Sequence, residues 1–253
     1  MINQIAQIAK IETLLANLKT TRFNSVLPMG IDVIEKSSKN LYMLKIGNKE
    51  VSTKSALPLD VGDKYWGVMK EDATLNTVSL SKLLKKPKLL QAQRDNFLPQ
   101  FSEIKLEELI TKKSPKMELK MALLEKLSLS TSKNEFMTLT NMIAALDANV
   151  FTMVLKDGGQ STMFQFKKRA KSSLDEDTKI DFYAAFENLG PIEGVISIIN
   201  DEKKVSLSLF YEDSLKFLED ELEYLNFKGS LHHKNSNIEP LFELSNSLLD
   251  IKG

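Results

Sequence analysis

Residues 181–229 read DFYAAFENLGPIEGVISIINDEKKVSLSLFYEDSLKFLEDELEYLNFKG, and the period of their apolar positions changes once, near residue 212. Before that point apolar and polar residues alternate through 194–199 and 205–211, joined by the polar turn 200–204. Each segment predicts a strand with one buried face. After it, Leu215, Leu218, Leu222 and Leu225 recur at three- and four-residue steps, the spacing of one helix face. Gly229 is the residue expected just past a helix end, and 230–233 is long enough to return as a short strand. An antiparallel meander with a helix laid on it predicts an α+β unit.

Working outward, 150–156 and 161–168 alternate on either side of Gly158-Gly159, which predicts a β-hairpin, and 179–187 predicts the next strand. Ahead of these lies helical sequence. Residues 103–112 carry Leu106, Leu109 and Ile110 on one face. Ser114-Pro115 opens a helix running to about 128, and 132–148 forms another with Phe136, Leu139, Met142, Ile143 and Leu146 on its buried side. Further toward the N-terminus the period returns to two in 26–34, 41–46, 51–55, 65–70 and 77–83, separated by turn residues such as Gly47-Asn48 and Gly62-Asp63. Five short strands predict a small barrel, of the oligonucleotide/oligosaccharide-binding or SH3-like type. Ile2, Ile5, Ile8, Ile11, Leu15 and Leu18 predict an amphipathic helix ahead of it. The expected fold class is therefore α+β: a small N-terminal β-barrel and a C-terminal antiparallel sheet with a packed helix, joined by a helical segment. The expected divisions are an amphipathic helix over 1–20, the barrel over 21–95, a helical connector over 96–133 and the α+β domain over 134–253.

Composition narrows the chemistry. The chain has 253 residues, room for two cores at roughly 100–150 residues each, and 34 basic residues balance 34 acidic ones. The balance conceals a gradient, because residues 1–102 hold 15 basic and 9 acidic side chains whereas 134–253 hold 12 and 20. Cysteine is absent, which excludes disulfides, thiolate metal sites and thiol nucleophiles. The two histidines, His232 and His233, are neighbours on a predicted strand, point to opposite faces and are poorly placed to share an ion. No Gly-x-Ser-x-Gly elbow, Walker pattern or dinucleotide fingerprint occurs. Neither catalysis nor a cofactor or metal is expected. No signal-peptide pattern opens the chain, and no apolar run approaches the roughly 20 residues of a membrane span, so a soluble, cytoplasmic protein without membrane insertion is expected. Export by a route that uses uncleaved signals stays open.

The layout of 181–229 resembles the carboxy-terminal domain of flagellar hook-length control proteins. The resemblance rests on alternating apolar residues, then Leu189-Gly190, two alternating strands, the helix of Leu215, Leu218, Leu222 and Leu225, and the closing Gly229. The family usually has a proline three residues before the leucine, where this chain has Phe186, and the long, poorly ordered ruler region of many members has no counterpart in this composition. The segment 59–65 is similar to small barrels in shorter relatives. The resemblance implies a binding role: contact with a component of the flagellar type III export gate that shifts export from hook subunits to filament-type substrates. It implies that Leu189 and Gly190 belong to the functional unit.

Other candidates come from the residues themselves. Asp175-Glu176-Asp177 reads as a solvated loop. The carboxylates Glu219, Glu221 and Glu223 on the leucine-striped helix read as a solvated face or as a surface for a basic partner. On the barrel, Tyr42, Tyr65 and Trp66 with Lys85, Lys86 and Lys88 suggest an alternative, single-stranded nucleic-acid binding, which needs exposed rings beside lysines that follow the phosphates. Tyr65 and Trp66 are strand neighbours, so one of them is expected in the core. A third reading is an export chaperone or scaffold that docks partners on 103–148.

Overall fold

The computed structural model describes residues 27–55, 57–72, 77–91, 114–157, 160–169, 178–199, 202–224 and 229–243. The expected helices over 1–20 and 103–112, the Gly158-Gly159 turn, Leu225 and Asp175-Glu176-Asp177 lie outside them.

The first sheet comprises β1 (Met29–Ser38), β2 (Leu41–Ile46), β3 (Lys49–Lys54), β4 (Lys64–Asp72) and β5 (Thr77–Lys85), in the order β3-β2-β1-β4-β5. Every neighbouring pair is antiparallel. The expected barrel is corrected here: the sheet is open, with β3 and β5 as its two edges. Closure would need both edge strands to turn an apolar face inward, yet β3 reads KEVSTK and is exposed along nearly its whole length. The concave side is filled instead by Ile31, Val33, Tyr42, Leu44 and Tyr65, with Leu59 of the following loop as a lid. That loop is fastened by its own backbone: the Leu59 N–H donates to the Tyr42 hydroxyl at 3.3 Å and the Asp60 N–H to the Tyr65 hydroxyl at 3.1 Å.

A single turn, α1 (Lys88–Gln91), leaves the first sheet, and the helical pair α2 (Pro115–Ser128) and α3 (Lys133–Asp147) follows. Proline opens α2, as its fixed φ allows, and the Ser132 hydroxyl caps α3 by accepting from the Glu135 N–H at 3.1 Å. Asn149, at φ 60°, takes the left-handed position that ends α3 and feeds the next strand. Of the residues expected on the buried side of α3, Leu139, Met142 and Leu146 are buried and Ile143 is partly so. Phe136 is exposed, because it sits in the first turn of α3, beside the interhelical turn.

The second sheet comprises β6 (Val150–Asp157), β7 (Gln160–Lys168), β8 (Thr178–Phe186), β9 (Gly190–Ile199), β10 (Glu202–Leu209) and β11 (Gly229–His233), in the order β11-β10-β9-β8-β7-β6. Strands β6 to β10 form the expected antiparallel meander. The last strand does not: β11 pairs parallel to β10, because the helix α4 (Glu212–Tyr224) carries the chain back to the start of the sheet.

Alternation gives this sheet two apolar faces. Phe164, Ala184 and Ile192 meet Leu218 of α4 on one side, and Met163, Tyr183 and Ala185 point to the other. There they join Leu119 and Leu123 of α2, Leu139 and Met142 of α3, and Trp66, Val68 and Leu84 of the first sheet in a single buried cluster. The two sheets thus share a core. Tyr65 and Trp66 are both buried, one on each face of β4, since both faces of that strand are covered.

Candidate functional site

The turn between β8 and β9 contains Leu189-Gly190, and the chain folds tightly around it. Gly190 has φ +81°, a conformation that side chains disfavour, and a Cβ there would lie 2.5 Å from the Tyr211 ring. Leu189 is 1% exposed and packs with Ile192 and Leu209 against α4. These two residues therefore shape the turn from within and offer no surface to a partner.

Trp66 of β4 and Lys86, just past β5, reach the same turn. The Trp66 indole N–H donates to the carbonyls of Phe186 at 2.9 Å and Glu187 at 3.1 Å. Lys86, whose side chain is 1% exposed, forms an ion pair with Glu187 and lies 5.5 Å from the centre of the Trp66 ring. In the opposite direction, the Tyr211 hydroxyl donates to the Lys82 carbonyl at 2.9 Å. A bulge aims that carbonyl. The register between β4 and β5 slips after Trp66, and Lys82 adopts φ 51°. Burial lowers the lysine pKa of Lys86 from its ordinary value although Glu187 opposes the shift, and burial raises the phenol of Tyr211.

Beside this seam lies a second cluster of charge. Asp63, which is buried, pairs with Lys85 at 2.5 Å and with Lys88, while Lys85 also reaches Asp60 at 2.7 Å. Burial would raise the Asp63 carboxyl, but the two lysines outweigh it and hold the group below the usual carboxylate value. Burial works against the Lys85 ammonium as well, and its two carboxylates prevail and raise it.

The residues suggested for nucleic-acid binding consequently do not make such a face. Tyr42 and Trp66 are each 1% exposed, so neither ring can stack on a base, and Lys85, Lys86 and Lys88 are all engaged by carboxylates. Among the partner-surface candidates, Glu219 is exposed on α4, and Glu221 and Glu223 lie further along the same helix. The first turn of α4 adds Glu212 and Asp213, with Glu212 pairing to Lys216 at 3.1 Å. His232 and His233 are exposed on β11, where His233 Nε2 contacts the Phe210 carbonyl and His232 Nε2 the Ser230 hydroxyl, each at 3.1 Å. Among the described residues no group of three His, Asp or Glu side chains is placed to hold a metal ion, and no helix is long and apolar enough to cross a membrane.

Sequence reasoning passed over Glu187 and Tyr211, which meet the first sheet across the seam, and Asp63, which holds Lys85 and Lys88 within it. No local signal marked Lys86, which sits among Lys85, Pro87 and Lys88, a run that reads as exposed linker. Comparison with protein-family models, curated proteins and solved structures finds no match.

Proposed function

We propose that this chain is a non-enzymatic recognition protein related to flagellar hook-length control proteins, acting at the cytoplasmic side of the type III export apparatus and influencing which substrates are exported. The observation that carries the reading is the order of features in 181–229: strand, Leu189-Gly190, two strands, leucine-faced helix and Gly229. Its support in the fold is that these residues contribute β8, β9, β10, α4 and the first residue of β11 in that order, with Leu189 in the β8–β9 turn and Gly190 closing it at positive φ.

The mechanism is differential binding. A rigid module that docks more tightly on one state of the export gate than on the other shifts the gate by that difference, about tenfold for each 1.4 kcal/mol. The accessible surface for docking is the outer side of α4, where Glu212, Asp213 and Glu219 would meet a basic region of the gate.

The test is pull-down of the full chain with the cytoplasmic domain of the export-gate component, combined with hook measurement in a deletion strain. Capture that weakens in E219K, together with hooks of abnormal length, is expected. No capture, with normal hooks, overturns the reading.

A further inference from the structure

Helix α2 carries two apolar stripes, and the described residues pack on one. Leu119 and Leu123 are buried in the shared core, with Leu127 packed beside them. Met117, Met121 and Leu124 follow at four- and three-residue steps and so form a second stripe, roughly 150° around the helix from the first. They are 61%, 58% and 40% exposed, and Leu129 at the C-cap is 72% exposed. Single exposed apolar residues are ordinary; a row of them at helical spacing is the pattern of an interaction face. Methionine suits such a face because its unbranched side chain adapts to different partners.

The borders of the stripe state what would cover it. On one side Lys116 is bound to Asn149 at 2.9 Å and Lys120 to Asp147 at 2.8 Å, which draws both cations toward α3. On the other side Glu118 and Glu125 are exposed and make no ion pair among the described residues. Asp147 balances the Lys120 charge, Lys116 keeps its charge beside the neutral Asn149, and the two carboxylates leave the borders of the apolar row with more negative than positive charge.

We infer that the Met117–Met121–Leu124 face is a docking surface for an amphipathic helix of a partner protein whose apolar stripe is bordered by lysine or arginine. Anchors at i, i+4 and i+7 fill one side of such a pairing, and the carboxylates select the basic border. The inference stands apart from the flagellar reading, because α2 lies outside 181–229.

The test titrates the full chain with two synthetic amphipathic helices of about four turns, identical in their leucine stripe and bordered either by lysine or by glutamate. Binding of the lysine-bordered peptide alone is expected. The M117S/M121S variant weakens it by at least about tenfold with an unchanged melting temperature, since both side chains are exposed. The E118Q/E125Q variant narrows the preference between the two peptides. Failure of both peptides to bind, equal binding of both, or binding that survives M117S/M121S overturns the proposal. So does a photo-crosslinker at position 121 that captures a second copy, or residues 1–20 of the same chain, in place of the peptide.

Discussion

Trp66 donates its indole N–H to the carbonyl of Phe186 at 2.9 Å although the two residues are 120 positions apart. The bond joins the middle of the first sheet to the turn that begins the 189–190 pair, and it lies over a core to which both sheets contribute. Two sheets that share a core and a hydrogen-bonded seam are expected to unfold together. Trp66→Phe removes the donor from two carbonyls and shrinks a fully buried side chain, at a cost of about 2–4 kcal/mol. Urea titrations followed by far-UV circular dichroism and by proteolysis of each sheet should give one coincident midpoint, lowered in the variant. Two separated midpoints in the wild type would show that the sheets are independent.

Gly190 and Tyr211 make a second point of contact that can be dissected. Gly190→Ala meets two penalties, the positive φ and the Tyr211 ring 2.5 Å from the new Cβ, and should lose more than about 2 kcal/mol. The two are separable. Tyr211→Leu removes the ring edge, so G190A/Y211L should lose less than the sum of the single changes. Tyr211→Phe keeps the ring and deletes only the bond to Lys82, so G190A/Y211F should be additive. Additivity in both pairs would mean that the ring is not what the methyl meets.

Local pattern was legible in the sequence, and long-range closure was not. The strands at 41–46, 150–156 and 161–168 and the start of α2 at Pro115 follow from residue pattern, because a half-buried strand must alternate and proline suits the first helical position, although Ser114 makes no side-chain cap bond. Whether five strands close is decided by contacts far apart in sequence, and β3 lacks an inward face only relative to its neighbours. The burial of both Tyr65 and Trp66 likewise depends on a second sheet covering the far face of β4. The suggested nucleic-acid site failed for the same reason: aromatic and lysine counts do not reveal that Glu187 and Asp63 already take the lysines. Leu189-Gly190 was legible as a turn, and its inaccessibility appeared only once Tyr211 was seen to pack on it.

Asp63 should make the protein sensitive to acid. Its carboxyl is held below the ordinary value of 3.8 by Lys85 and Lys88 in the folded state. A group lowered on folding contributes stability that is present above the unfolded value and disappears as pH falls through the folded one. Stability should therefore decline as pH drops below about 4, and the decline should be shallower in Asp63→Asn. That variant is expected to be less stable than the wild type at pH 7, where the two lysines lose a shared partner. Parallel stability–pH curves for the two proteins would exclude this pair as a source of acid sensitivity.

The Lys86–Glu187 pair should respond unequally to the loss of each partner. Lys86 is enclosed, whereas Glu187 is partly open to water, and Asp32 and Lys64 are the other charges that act on the lysine. Glu187→Gln removes the carboxylate paired with a buried ammonium and should cost up to about 3–5 kcal/mol. Lys86→Met leaves a carboxylate that water can reach and fills the same space with an apolar chain, so its cost should be much smaller. The direction of the pH response follows from the lowered lysine pKa. Between the folded value and the ordinary 10.5 the unfolded chain binds more protons, so stability gains with rising pH in that window. The deficit of Glu187→Gln should therefore shrink as pH approaches about 10, because a neutral amine is no longer penalised by burial, while Lys86→Met should lack this component. Denaturant midpoints of the three proteins measured from neutral to alkaline pH would decide it, and equal losses in the two variants at pH 7 would refute the asymmetry.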